Sequence, residues 1–160
     1  MERDIVLEAE DIYRLNLVLT KIVDLGQCDI AMLINKSGRL ISYQAETSAH
    51  DKVSIAALVS GSFASSVAVA RLIGETEFET LYQEGVIHHL FVSQIDENNI
   101  LCVVFTDRSN LKRAKIVIED HKPQIDEILE KMYSKVIADP FLNLDVSSYN
   151  KAIDELPAND

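Results

Sequence analysis

The chain reads as an α/β domain of the α+β kind: a five-stranded, mainly antiparallel sheet with one long helix on one face and the N- and C-terminal helices on the other. Three observations predict it. Residues 53–73 (VSIAALVSGSFASSVAVARLI) carry no charge before Arg71 and are apolar or small around nearly the whole circumference, the pattern of a helix covered on more than one side. Residues 7–25 and the stretch from Ser109 to Val136 each place aliphatic side chains at helical spacing. Between these three segments lie a pair and then a triplet of strand-like runs.

In chain order, Ile12, Leu15, Val18, Leu19 and Ile22 form one face of the first helix, which Gly26 ends. Residues 29–35 (DIAMLIN) and 39–44 (RLISYQ) are strands, and Lys36, Ser37 and Gly38 join them in a hairpin whose glycine takes the positive-φ position. The long helix follows, with Asp51 as N-cap and Gly74 just past its end. Ala57, Gly61, Ala64 and Ala68 recur at spacings of four, three and four, a stripe small enough for another backbone to approach. Ile55, Leu58, Val59, Val69 and Ile73 are expected to be its bulkier core side. Residues 78–83 (FETLYQ) suit a short edge strand, and Glu84 and Gly85 a turn. Residues 86–95 (VIHHLFVSQI) and 99–106 (NILCVVFT) are the clearest strands, and the almost wholly apolar second one is expected at the sheet's centre, covered on both faces. Ser109 is the expected cap of the last helix, and Pro123 within it predicts a kink or a break.

With 160 residues and 48% hydrophobic content, one domain with a substantial core is expected. A formal net charge of -11 disfavours binding to a phosphate backbone. The charged opening MERDIVLEAED has no apolar signal region, and serines at 54, 60, 62, 65 and 66 interrupt the long helix, so a cytoplasmic protein without membrane insertion is expected. Cys28 and Cys102 fit no disulfide framework and read as reduced core thiols.

Phosphate-loop, dinucleotide, esterase-elbow and zinc-protease motifs are absent. His88 and His89 are adjacent in a strand and point to opposite faces, so they do not chelate one ion, and no metal or cofactor is expected. A Cys102–His89 nucleophilic pair is the remaining enzymatic reading, weakened by the apolar setting of the thiol in ILCVVF. No residue is nominated as catalytic. Arg108, Lys112, Arg113 and Lys115 concentrate positive charge at the start of the last helix, either as a solvated basic face or as a contact for an acidic partner. From residue 137 the chain carries Asp139, Asp145, Asp154, Glu155 and Asp160 against Lys151 alone, a net charge of -4. Residues 137–160 are expected to be a flexible acidic tail, either a plain terminus or a peptide that folds on binding through Phe141, Leu142, Leu144, Tyr149, Ile153 and Leu156.

The element order, the segment DIAMLINKSGRLIS, the small-residue helix ending LIGETEF, the following YQEG and the run ILCVVFTDRSNLKRAKI together resemble the Roadblock family, specifically its bacterial members that regulate a small Ras-like GTPase. The resemblance covers about residues 5–136 and implies a three-layer Roadblock/longin-like fold, with 137–160 as the tail. It further implies a homodimer in which the edge strands around Phe78, Leu81 and Tyr82 pair while the long helices lie side by side. Those helices would form a platform for one GTPase, contacted by Ala57, Gly61, Ala64, Ala68 and Arg71. In the family such docking activates GTP hydrolysis by remodelling the GTPase so that its own arginine and glutamine act, without an inserted arginine. The resemblance also implies a second contact by the tail, here through Phe141 and Leu144, that affects nucleotide exchange. Roles in cell polarity and motility, with enrichment at a cell pole, belong to the same reading. The competing reading is a scaffold subunit of the family that leaves nucleotide turnover unchanged.

Overall fold

The computed structural model describes residues 7–46, 50–138 and 153–155. Helix α1 (Ala9–Gly26) leads into strands β1 (Ile30–Asn35) and β2 (Leu40–Ala45), then helix α2 (Lys52–Leu72) and strands β3 (Thr80–Glu84), β4 (His89–Gln94) and β5 (Asn99–Phe105). A short 3-10 turn (Arg108–Asn110) opens into helix α3 (Leu111–Ala138). The strands form one sheet in the order β2-β1-β5-β4-β3, and every neighbouring pair is antiparallel. β5 lies in the middle with all its residues buried, as its unbroken apolar run requires.

Alternation along the strands divides the core in two. On one face Leu15, Leu19 and Ile22 of α1 and Ile118, Ile125 and Leu129 of α3 pack with Leu33, Leu101, Val103 and Phe105. On the other, Ala56, Val59 and Phe63 of α2 cover Ile30, Met32, Ile100 and Cys102. This is the three-layer arrangement that the sequence predicts.

Helices α1 and α3 run antiparallel, tied at both ends. Asn110 donates from Nδ2 to the Gln27 carbonyl at 3.4 Å, and Lys135 donates from Nζ to Glu8 at 2.6 Å and to Asp11 at 2.9 Å. Asp11 is buried, so its charge needs that partner. At the base of the β4–β5 hairpin, Asn99 is fully buried and donates from Nδ2 to Asp96 at 2.9 Å and to the Tyr133 hydroxyl at 2.7 Å, joining the sheet to α3.

The helix ends follow the local signals at some termini and depart from them at others. Asp51 caps α2 by accepting from the Ser54 amide at 3.1 Å. At the far end Gly74 takes φ +83, and the amides of Glu75 and Gly74 reach back to the carbonyls of Ala70 (2.9 Å) and Arg71 (3.3 Å), a Schellman ending. Helix α1 stops at Gly26 as expected, although the left-handed residue is Gln27, at φ 52. The cap before α3 is Asp107 instead of Ser109: its carboxylate accepts from both the amide and the hydroxyl of Ser109. Helix α3 continues through Pro123 without a break, because a proline removes one hydrogen bond while the buried residues on either side, Ile118 and Ile125, hold both halves to the same core. β4 begins at His89, leaving Val86 and Ile87 exposed in the turn, and β3 begins at Thr80, so Phe78 precedes the strand.

Candidate functional site: the outer face of helix α2

The inward face of α2 is set by Ala56, Val59, Ser60, Phe63 and Ala70, all buried. Small residues at 56, 60 and 70 let the helix lie close to the sheet, and Phe63, 1% exposed, supplies most of the volume between them. Ser60 is a polar group on that face, satisfied by donating its hydroxyl to the Lys36 carbonyl at 2.6 Å. The hairpin is thereby fastened to the helix. Gly38, at φ +98, lies so near that a Cβ there would come within 3.5 Å of the Ala57 Cα.

With that stripe inward, Ala57, Gly61, Ala64, Ala68 and Arg71 all fall on the exposed side. A Cβ added at Gly61 would meet nothing within 4 Å. The expectation that Leu58, Val69 and Ile73 form the helix's core side is overturned: they are 75%, 50% and 66% exposed, beside Leu72 at 87%. Ile55 is half-buried and Val59 buried, in keeping with the expectation. A helix apolar all round offers no polar face to fix its phase, so bulk is a poor guide to direction. The usable signal is Phe63, the one aromatic, with Ala56, Val59 and Ser60 at helical spacing before it. The outer surface is therefore a line of small residues flanked by bare aliphatic side chains on a helix of 21 residues. By length and average hydropathy α2 also reaches what a bilayer-crossing helix needs despite its serines, while its inner face packs on the sheet.

β3 stands at one end of the sheet. Leu81 and Tyr82 on it are half-buried, packed against opposite faces of the sheet, and Phe78 just before it is half-buried too. Tyr82 keeps a buried hydroxyl with no hydrogen-bond partner among the described residues. Phe141 and Leu144 lie outside the described residues.

Covalent catalysis by the cysteines does not fit the geometry. Cys102 faces α2, whereas His89 stacks its ring 5.6 Å from that of Phe105, on the α1–α3 side. Thiol and imidazole thus point to opposite faces of the sheet. Burial also pushes both Cys102 and Cys28 up to about 12, so both remain protonated thiols near neutral pH. No group of three or more His, Cys, Asp or Glu side chains suited to a metal ion occurs among the described residues.

In the basic cluster, Arg108 pairs with Glu84, and Lys115 lies over the Phe91 ring at 5.5 Å. Lys112 and Arg113 remain exposed, with no ion pair among the described residues.

Comparison with solved structures gives a consistent result. The chain matches MglB of Myxococcus xanthus at 28% identity and a TM-score of 0.72, covering 79% of this chain and 96% of that one. It matches the gliding protein MglB of Thermus thermophilus at 25% identity and a TM-score of 0.73, covering 82% and 99%. A Roadblock/LC7 domain of Streptomyces avermitilis, at 18% identity and a TM-score of 0.56 over 69% of this chain and 96% of that one, shares the fold. The heat-inducible transcription repressor HrcA of Clostridioides difficile is 30% identical over 90 residues, 49% of this chain, and the chain spans only 26% of that relative's length. The Roadblock/LC7 family model matches residues 14–105, over half of the chain, and with the three-layer fold this shows that the chain belongs to the Roadblock/LC7 family.

Proposed function

We propose that two copies of this chain pair through β3 and lay their α2 helices side by side, presenting the joined outer faces to a small Ras-like GTPase of the MglA type and shifting it toward its hydrolysis-competent state. The exposed line Ala57, Gly61, Ala64 and Ala68, with Arg71 at its end, is the observation that carries this reading. Small side chains lose little conformational freedom on docking and admit a partner's backbone closely, and the bare Leu58, Val69 and Leu72 beside them supply apolar area. Similarity to the MglB structures from two organisms supports the choice of partner. The chain acts here as a regulator without catalytic groups of its own: activation requires only that it bind one conformation of the GTPase more tightly than the other. The tail makes the second contact, through Phe141 and Leu144.

Gly61→Arg and Ala64→Arg test the docking face. Both positions are exposed, so the circular dichroism spectrum and melting temperature stay close to those of the parent, while stimulated single-turnover GTP hydrolysis falls to the level of the GTPase alone. Full stimulation by both variants would refute the docking face. Binding without any stimulation by the parent protein would make it a scaffold instead.

A further inference from the structure

Beyond the α2 face, the opposite side of the molecule has a surface of its own. Along the seam between the antiparallel helices α1 and α3 lie two depressions. One, of 210 Å³, is lined by Arg14, Leu17, Lys21, Gln124, Glu127 and Ile128 among others. The second, of 570 Å³, is lined by Leu25, Ser109, Asn110, Lys112, Arg113 and Ile116 with Val117. Their apolar content is uncovered: Leu17 is 48%, Leu25 54% and Ile116 53% exposed. Arg14, Lys21, Lys112 and Arg113 stand against Glu127 alone among the charged lining residues. None of the four cations makes an ion pair among the described residues, and Glu127 is engaged with Lys131 at 3.4 Å. On a chain of net charge -11 this is a local reversal of sign.

The geometry points to the chain's own C-terminal segment, residues 149–156, as the occupant of the larger depression. Its composition is complementary: Tyr149, Ile153 and Leu156 are spaced to share one face of a helix, and Asp154 and Glu155 supply the negative charge. Residues Ile153 and Asp154 are helical, and Ile153 is 61% exposed, an aliphatic side chain in need of cover. Reach agrees as well. α3 ends at Ala138, beside the start of α1, where Lys135 meets Glu8 and Asp11. From Ile116 to Ala138 the helix rises roughly 33 Å at about 1.5 Å per residue. The ten residues 139–148 are enough chain to span ~33 Å at about 3.3 Å each, the length of that return. Residues 149–156 can therefore reach Leu25 and Ile116, which would set Asp154 and Glu155 near Lys112 and Arg113. Docked there, the tail is held on the face away from α2, so the proposed contact of Phe141 and Leu144 with a GTPase requires its release from the seam.

The test uses the full chain with a nitroxide on Asn150→Cys; buried Cys28 and Cys102 stay unlabelled near neutral pH. Methyl signals of Leu25, Ile116 and Val117 should lose more than half their intensity, while those of Ile34 and Val92 keep theirs. The double change Lys112→Glu and Arg113→Glu, both exposed and so compatible with the fold, should restore the signals. Mixing a nitroxide-bearing chain without isotope label with a methyl-labelled chain without nitroxide should leave them intact. Three results would overturn the proposal: no selective loss, a loss that survives the charge reversal, or a loss that appears in the mixture and so assigns the site to a second copy's tail.

Discussion

The two helical layers cover the sheet unequally. On the α1–α3 side, long aliphatics such as Leu15, Leu19, Ile22, Ile118, Ile125 and Leu129 fill the space between two helices and the strands. On the other side a single helix covers the sheet with Ala56, Val59, Ser60, Phe63 and Ala70, and leaves Leu58, Val69, Leu72 and Ile73 bare. The difference teaches that the first layer completes the core of one chain, whereas α2 has more apolar surface than its own sheet can bury. Those bare apolar side chains are the surface on which the proposed docking rests.

The contrast is sharpest within α2. Phe63→Ala removes the largest inward side chain and should cost about 3–5 kcal/mol, while Leu58→Ala, on the same helix, should change monomer stability by less than about 0.5 kcal/mol. Chemical denaturation of both variants checks this, and a large loss for Leu58→Ala would erase the distinction between inner and outer face. Next in size is Asn99→Ala, which removes the buried amide that bridges Asp96 and the Tyr133 hydroxyl and should cost roughly 1–3 kcal/mol. Because this network joins the sheet to α3, its loss should reduce hydrogen-exchange protection on the α1–α3 side first. The smallest effect is at Asp51. Hydrogen bonds from the Ser54 hydroxyl and amide hold its carboxyl below the usual carboxylate range. Its stabilisation is thus present above the ordinary value near 3.8 and is lost as pH falls through the lowered folded-state value. Asp51→Asn, which still caps, should melt like the parent at neutral pH and show a shallower decline in acid.

Much of this organisation is legible in the residues. The hairpin at Gly38, the cap at Asp51, the ending at Gly74 and the central placement of ILCVVF all rest on local chemistry that tertiary context leaves alone. Features that depend on packing partners are not legible in the same way. The phase of α2 departs from expectation at Leu58, Val69 and Ile73 because inward space is set by the sheet's distance, which favours Ala56 and Ser60 over larger side chains. The cap before α3 is displaced because a 3-10 turn, Arg108–Asn110, precedes the helix, and Asp107 at its start accepts from both the amide and the hydroxyl of Ser109. The Asn99–Asp96–Tyr133 network has no sequence signature, since Tyr133 lies far from the other two along the chain and no spacing rule connects them. Small residues alone do not separate the two sides of α2, since Ala56, Ser60 and Ala70 face inward while Ala57, Gly61, Ala64 and Ala68 face outward; only packing against the sheet decides between the two stripes.

The β1–β2 loop has a consequence for how that surface is tuned. Lys36 offers its carbonyl to Ser60 and holds its ammonium 5.8 Å from the Phe63 ring, while Gly38 sits against Ala57. The outer surface around Ala57 is therefore a composite of helix and loop, and under the proposed function a partner that lands on Ala57 also meets the hairpin's tip. Exchanging one or two loop residues would reshape that surface, and with it, on the proposed reading, the choice of visitor, while every helical residue stayed as it is.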